Sequence, residues 1–545
     1  MAANIKTASN VPLPSTPDLE RQPLLNNNNG ATPYNTSGFG NGIGGGVGTN
    51  PNPNNNPNNN NIGSHRSHIP STIGLGRRRP SEAEQHEKRR DNIRKCWRVG
   101  MLAILFAMLG FLIMCLYELF VGHTGGSPYV HLRGSCDHVA PISPVEFEER
   151  QKNLSRLLVD LKAAAYIAEP GINMQYFTDI KWSQSERPFL LVVQAKKDKT
   201  ETVLTKTTIV APAFEASRAR QKIIPGASYA IKTWEEGESA FKVVREVLDT
   251  PWAGTEDEDE EMHLKKPKKD IEHVYIDPDM RQLVASGLAS ALDSSERKVE
   301  IANRRIGLLR MQKSAHEIEI LRCVSQTTVN VIRAVKQHIQ VGVSESEVQK
   351  MLTLAYKETG LSYEAGGSLV LFGKDAALPH GSGNDTRLEK GMMVLIDSGA
   401  RLHGYLSDIT RTFWVRRGHN KEMNDELDKV WEIVKNAQTA ALEAIKPGVA
   451  CSSIDKAARH VIAEQGYGAK FTHRLGHGLG MEGHEEPYLN IGNTDTELKP
   501  GMVFTNEPGI YVEGSYGIRL EDVVLVTETG YEILSGNLAE SATEP

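Results

Sequence analysis

The sequence predicts an α+β protein: a C-terminal domain built from a duplicated helix–helix–β-hairpin unit, an α/β domain ahead of it, and a single transmembrane helix ahead of both. Three observations carry this. From about residue 311 the 545-residue chain repeats itself at offsets of 106 and 110 residues. Before that, between about residues 141 and 305, helix-like and strand-like stretches alternate. One uncharged run, VGMLAILFAMLGFLIMCLY from Val99 to Tyr117, is unlike anything else in the chain. Charge is divided in the same way. Residues 1–98 hold 12 basic and 6 acidic side chains, a net of +6, and the other 447 residues carry −12. An acidic folded bulk argues against a nucleic-acid partner. Five Cys in 545 residues exclude a disulfide-built scaffold.

Residues 1–62 are dominated by Asn, Gly, Pro and Ser, with too few large apolar groups to offset the entropy of ordering. The segment 1–98 is read as a disordered, basic cytosolic tail. Within it, Glu20-Arg21-Gln22-Pro23-Leu24-Leu25 resembles the acidic dileucine signal that adaptor complexes read for delivery to vacuoles, lysosomes or endosomes. Residues 99–121 are read as a signal anchor, because 19 uncharged residues at about 1.5 Å each nearly span a hydrocarbon core of about 30 Å. Nearly a hundred residues precede the run, which argues against a cleaved signal peptide. Arg77, Arg78, Arg79, Lys88, Arg89, Arg90, Arg94, Lys95 and Arg98 lie upstream, and only Arg133 lies in the twenty residues after Tyr117. The positive-inside rule therefore predicts a type II protein with its folded part luminal or extracellular. Sequons at Asn153 and Asn384 are compatible with that side, and Cys96, beside the membrane in the tail, is a candidate for acylation. Cys136, Cys323 and Cys451 are an odd set there, so at least one is free or paired between chains.

A stalk is expected over 122–140, then the α/β domain over 141–305. PVEFEERQKNLSRLLVDLKAAAY has helical apolar spacing, and PFLLVVQA and TTIVAP read as buried strands. The acidic run at 255–261, followed by Lys265, Lys266, Lys268 and Lys269, is expected to be a solvated loop.

In the last domain, over 311–540, Ile339-Gln-Val-Gly342-Val343 matches Ile445-Lys-Pro-Gly448-Val449, and Leu388-Glu-Lys-Gly391-Met392 matches Leu498-Lys-Pro-Gly501-Met502. Nine positions after each of those Leu stands a carboxylate, Asp397 and then Glu507. Two such units would bring their strands together about a pseudo-twofold axis. LIDSGARLHGYLSDITRTF places Asp397 and Asp408 on strands joined through Gly404, and FTNEPGIYVEGSYGIRLEDVVLV places Glu507 and Glu521 similarly. HRLGHGLGMEGH between them contributes His473, His477 and His484. Carboxylates set in apolar strands need a compensating partner, and four of them with a His suit a pair of divalent cations.

These residues resemble a known family. Asp, eleven residues, Asp, then HxxxH, NEPG and GIRLED is similar to the pita-bread metallopeptidases, the group of methionine aminopeptidase, prolidase, aminopeptidase P and creatinase. The resemblance is strong over about 311–535 and looser over about 140–300. It implies a pita-bread catalytic domain preceded by a creatinase-like domain. It also implies that Asp397 holds one metal, that Asp408 and Glu521 bridge both, and that His477 and Glu507 complete the second. Glu507 is also the implied proton shuttle. His380, His473 and His484 match the outer histidines near the substrate, and Arg519 matches the Arg beside the bridging Glu. A carboxylate-rich set favours Mn²⁺, with Co²⁺ or Zn²⁺ as alternatives.

The preceding domain favours the branch that cleaves Xaa-Pro bonds, in which a metal-held hydroxide attacks the carbonyl before proline and subunits commonly pair. The substrate implied is a peptide with Pro at its second position, and the motifs do not separate dipeptides from longer peptides. Two rivals are a non-peptidase hydrolase or lyase of the same fold and a catalytically silent membrane receptor. The latter is expected to have lost ligands, and none is lost.

Overall fold

In the computed structural model of the chain the described residues are 82–124, 127–252, 271–294, 296–364 and 367–545. The first element, α1, runs over Glu82–Thr124. Its stretch Arg89–Met114, with mean hydropathy 2.1 and no buried residue, is the one helix among the described residues long and apolar enough to cross a membrane. The helix begins at Glu82 rather than at Val99, so the tail read as disordered to residue 98 is helical over its last part. The reason is local: EAEQHEKRRDNIRKCWR has no Gly or Pro, is rich in strong helix formers, and places Glu84 and Lys88, then Asp91 and Lys95, at i,i+4 spacing. The dileucine motif and the acidic run at 255–261 lie outside the described residues.

The expected stalk is folded from residue 127 onward. Tyr129, Leu132, Cys136 and Val139 are buried, and Cys136 is disulfide-bonded to Cys323. The burial of those side chains and the covalent tie make this segment part of the core. Cys451 is free and buried, and Cys96 is free and exposed.

The next domain begins with α2 (Pro144–Asp160), capped by Ser143, and passes into β1 (Ala163–Ala168). AAAY is thus strand rather than the end of the helix. There follow α3 (Ile172–Thr178), β2 (Leu190–Lys197), β3 (Val203–Pro212), α4 (Ala216–Lys222), β4 (Ala230–Trp234), α5 (Ala240–Asp249), β5 (Glu272–Ile276), α6 (Gln282–Leu292) and β6 (Arg297–Ile301). The strands form one mixed sheet in the order β4-β3-β2-β1-β5-β6. Strand alternation gives it two apolar faces: Tyr166, Leu191, Val193 and Ile209 pack with Leu154 and Leu158 of α2, whereas Ala165, Ile167, Val192 and Val210 pack with Val244 of α5 and Leu288 of α6. Asn153 is exposed on α2, and the Asn384 amide donates to Asp375 Oδ1 at 3.2 Å.

After the short α7 (Arg304–Gly307), the last domain opens with α8 (Ala315–Lys336) and α9 (Glu345–Thr359), each started by a Ser/Glu capping box. β7 (Leu369–Phe372), β8 (Met393–Ser398), β9 (Arg401–Leu402), β10 (Tyr405–Leu406) and β11 (Ile409–Trp414) follow. The second half repeats the plan with α10 (Lys421–Ala444), α11 (Cys451–Glu464), β12 (Gly476–Gly478), β13 (Glu485–Leu489), β14 (Val503–Asn506), β15 (Gly509–Val512), β16 (Tyr516–Arg519), β17 (Asp522–Val526) and β18 (Tyr531–Ile533). The sheet β11-β8-β7 belongs to the first half and β13-β12-β14-β17-β18 to the second.

The internal repeat is written into the backbone. Gly342 N donates to Leu388 O at 2.7 Å and Gly448 N to Leu498 O at 2.8 Å, while Gly391 N donates to Arg416 O and Gly501 N to Val526 O. All four glycines have positive φ, from 84° to 98°, which explains why the repeat preserves Gly at these positions.

Glu345, the first residue of α9, accepts from Phe372 N at 2.7 Å and Thr386 N at 3.2 Å. Burial, with Asp375 and Asp385 adding to it, pushes its carboxyl up to about 7. Because the folded pKa lies above the unfolded one, the stability it contributes is full below about pH 4.5 and is lost as pH rises through about 7. Glu345→Gln should therefore narrow the difference in unfolding free energy between pH 5 and pH 8, measured by urea denaturation.

Candidate metal centre

The site is assembled from strand ends of both halves. Asp397 stands in β8, paired across the sheet with Thr410 of β11, and Asp408 immediately precedes β11. A Cβ on Gly399 would lie 2.1 Å from Ser407 O, so the approach of these two segments requires glycine. In the second half a Cβ on Gly476 would lie 1.9 Å from Thr505 O, which is how His477 of β12 is brought beside Glu507 at the end of β14. Glu521 lies between β16 and β17, and its N–H donates to Thr410 O at 3.0 Å, joining the second half to the first.

His477 is buried. Its Nδ1 faces the Gly478 carbonyl at 3.1 Å, and its Nε2 lies 3.3 Å from Glu507 Oε1 and 3.7 Å from Asp408 Oδ2. Ligand atoms of His477, Glu507 and Glu521 lie within 4.8 Å of one another, as do those of Asp397, Asp408 and Glu521, and those of Asp408, His477 and His484. Asp408, His477 and Glu521 each belong to two of these groups.

Electrostatics shows what the cluster lacks. Burial first, then the charges of Asp397 and Glu507, raises the Asp408 carboxyl well above its ordinary value. Burial, with Asp408, Glu507 and Asp397, does the same to Glu521. Glu507 goes the other way: burial raises it, but the hydrogen bond and charge of His477 bring it below the usual value. Four carboxylates and an imidazole converging with so little cationic compensation are the donor set of hard divalent cations.

A second layer orients the first. Arg519 donates to Asp397 Oδ2 at 2.6 Å, to Thr410 Oγ1 at 3.1 Å and to the Tyr511 hydroxyl at 3.0 Å. Thr410 Oγ1 donates to Glu521 Oε2 at 2.7 Å. His473 Nδ1 donates to Arg474 O at 2.7 Å, and its Nε2 accepts from Tyr511 at 2.8 Å. Burial lowers the His473 pKa; burial with His477 and Arg474 brings His484 down to about 4, so both rings are neutral at pH 7. The exposed His484 ring meets His477 edge to face at 4.1 Å. His380, in a turn, stands exposed at the mouth.

One cleft of about 610 Å³ gathers all nine residues named from the sequence: His380, Asp397, Asp408, His473, His477, His484, Glu507, Arg519 and Glu521, with Pro379, Arg474 and Asn490. Sequence reasoning missed Thr410, Tyr511 and Arg474. Thr410 had a signal, since it lies two residues after Asp408 and strand alternation puts both on one face. Tyr511 had none, because its partners lie 38 residues before it and 8 after it.

A sequence profile of metallopeptidase family M24 matches residues 319–528. An uncharacterized peptidase of Schizosaccharomyces pombe is 33% identical over 467 residues, covering 83% of this chain and 96% of the relative. The chain belongs to metallopeptidase family M24. Among solved structures, this M24 peptidase resembles the dipeptidase PepE of Mycobacterium ulcerans, with a TM-score of 0.64 at 27% identity over 74% of this chain and 100% of that one. It also resembles a recombinant prolidase of Thermococcus sibiricus, with a TM-score of 0.60 at 28% identity over 72% and 98%. Both likenesses extend beyond the profile match into the domain ahead of it, and the match itself contains all five candidate ligands of the M24 peptidase.

Proposed function

We propose that the chain is a membrane-anchored exopeptidase that hydrolyses the bond between an N-terminal residue and a following proline. The observation that carries this is the convergence of Asp397, Asp408, His477, Glu507 and Glu521 in one cleft. Family membership and the prolidase neighbour support it. On this reading Asp397, Asp408, His477, Glu507 and Glu521 would hold two divalent cations, Mn²⁺ being favoured by the carboxylate donors. Such a pair supplies an acidified water and polarises the scissile carbonyl.

The protein residues do the rest. Glu507 takes the proton released as water adds and passes it to the leaving proline nitrogen. His484, whose ring has no hydrogen-bond partner among the described residues, donates to the scissile carbonyl oxygen. Both nitrogens of His473 are engaged, so it acts through Tyr511 and Arg519 to hold Asp397 in place. In the cell, α1 would anchor the protein with its N-terminal side cytosolic and the catalytic domain in a vacuolar, lysosomal, endosomal or extracellular space.

The test is a peptide panel on the detergent-solubilised full chain, stripped of metal and then reloaded with Mn²⁺, Co²⁺ or Zn²⁺. The expected result is release of the first residue from Xaa-Pro peptides, not from Xaa-Ala controls, and only after reloading. No metal-dependent release from any peptide overturns the proposal.

A further inference from the structure

The segment 127–140 lies outside the residues 319–528 that match the family, yet it is built into the catalytic domain. Besides the burial of Leu132 and Val139, three ties fix it there. Cys136 is bonded to Cys323 of α8, Arg133 Nε donates to Glu358 of α9 at 2.7 Å, and His316 Nε2 stands 2.8 Å from Ala140 O.

A fourth tie reaches towards the site. His403 Nε2 donates to Val139 O at 2.9 Å, the only role open to a ring nitrogen bonded to a carbonyl. His403 and Gly404 make the two-residue turn of the β9–β10 hairpin, in which Leu402 pairs with Tyr405, and this hairpin lies in the chain between Asp397 and Asp408. Both turn residues have positive φ, 51° and 96°. The first place in such a turn ordinarily goes to Asn, Asp or Gly. A His there bears the cost of the left-handed backbone while its side chain serves Val139 rather than the turn.

The other side of the hairpin faces the ligands. Leu406 N donates to Gly480 O at 2.8 Å and Arg401 Nη1 to Met481 O at 3.0 Å, and both acceptors lie between His477 and His484. Ser407 N donates to Ala400 O at 3.0 Å, closing the base of the hairpin directly before Asp408. A shift of the turn is therefore passed along a short hydrogen-bonded ribbon to two aspartates and to the loop that carries His484.

We infer that His403 is a positioning residue, through which the segment 127–140 holds the β9–β10 hairpin, and with it Asp397 and Asp408, at the spacing that bound divalent cations require. The inference rests on the metal-centre reading above and adds to it a residue that touches neither metal nor substrate.

The experiment uses the detergent-solubilised full chain, stripped of metal, as wild type, His403→Gly and His403→Gln. Three quantities are measured: Mn²⁺ affinity by calorimetry, amide hydrogen exchange of the metal-free chain, and the urea midpoint. Glycine suits the positive φ, so His403→Gly should keep the midpoint within about 0.5 M of wild type. It should nevertheless bind Mn²⁺ about tenfold more weakly, the worth of one hydrogen bond, and exchange the Leu406 and Ser407 amides about tenfold faster. Exchange in 127–140 should stay at the wild-type rate, because that segment keeps its other ties. His403→Gln, whose amide N–H has a similar reach, should return affinity and hairpin exchange to within about threefold of wild type.

Wild-type affinity and hairpin exchange in His403→Gly overturns the inference. So does a loss in His403→Gln as large as in His403→Gly, which removes the hydrogen bond as the cause. Faster exchange spread over the whole chain with a lowered midpoint, or confined to 127–140, assigns His403 to general stability or to holding the segment, and also overturns it. Failure of wild type to bind Mn²⁺ overturns the metal-centre reading instead, and hairpin exchange in the metal-free chain still decides whether His403 holds the hairpin.

Discussion

Asp408→Asn is expected to lower kcat on an Xaa-Pro peptide by about a thousandfold, equivalent to ~4 kcal/mol of transition-state stabilisation. Asp408 shares one group of ligand atoms with Asp397 and Glu521 and another with His477 and His484. The amide keeps the shape and one oxygen but removes the charge that, on the proposed reading, both cation positions would use. Bound divalent metal, measured by elemental analysis after gel filtration, should fall from about two to one or fewer per chain. Circular dichroism should stay unchanged, because Asp408 lies on the cleft and not in the apolar core. Full activity with two bound ions would exclude Asp408 as a ligand.

Asp522→Ala is expected to be the most destabilising single change in the catalytic domain, at about 3–5 kcal/mol in urea unfolding. Arg411 and Asp522 are each 1% exposed and pair at 2.7 Å across the two halves. The Asp522 carboxylate is completed by Ser535 Oγ at 2.6 Å and Gln438 Nε2 at 3.0 Å. Removing it leaves a buried guanidinium whose Nε already has no partner. Arg411 also donates to the main-chain oxygen of Glu521 at 2.7 Å, so metal affinity should weaken as well. A double change, Arg411→Met with Asp522→Leu, should recover much of the stability, because an apolar pair of similar volume avoids burying charge. A loss below about 1 kcal/mol for the single variant would show the pair to be energetically idle.

How much of this can be read from sequence depends on whether the constraint is local. Gly342, Gly391, Gly448 and Gly501 are readable because each sits at a positive φ that its half of the domain needs at the same place. The cleft residues are readable because short strands and tight turns fix their spacing along the chain. The helical start at Glu82 is legible from propensity, since strong helix formers with no Gly or Pro run from there into the apolar stretch. The fold of residues 127–140 could not be read, because the partner that orders it, Cys323, is 187 residues away. Tyr511 belongs to the same class, being defined by what surrounds it in space.

The division of the ligands between the two halves has a further consequence. Asp397 and Asp408 come from the first half, and His477, Glu507 and Glu521 from the second, so a cation held among them is a crosslink that exists only when both halves are folded and docked. Binding is then linked to folding: at a hundredfold excess over Kd, one such ion adds about 2.7 kcal/mol to the free energy of unfolding. On the metal-site reading, raising the free divalent cation should therefore slow proteolysis of the protein as well as support its activity, and removing it should weaken both together.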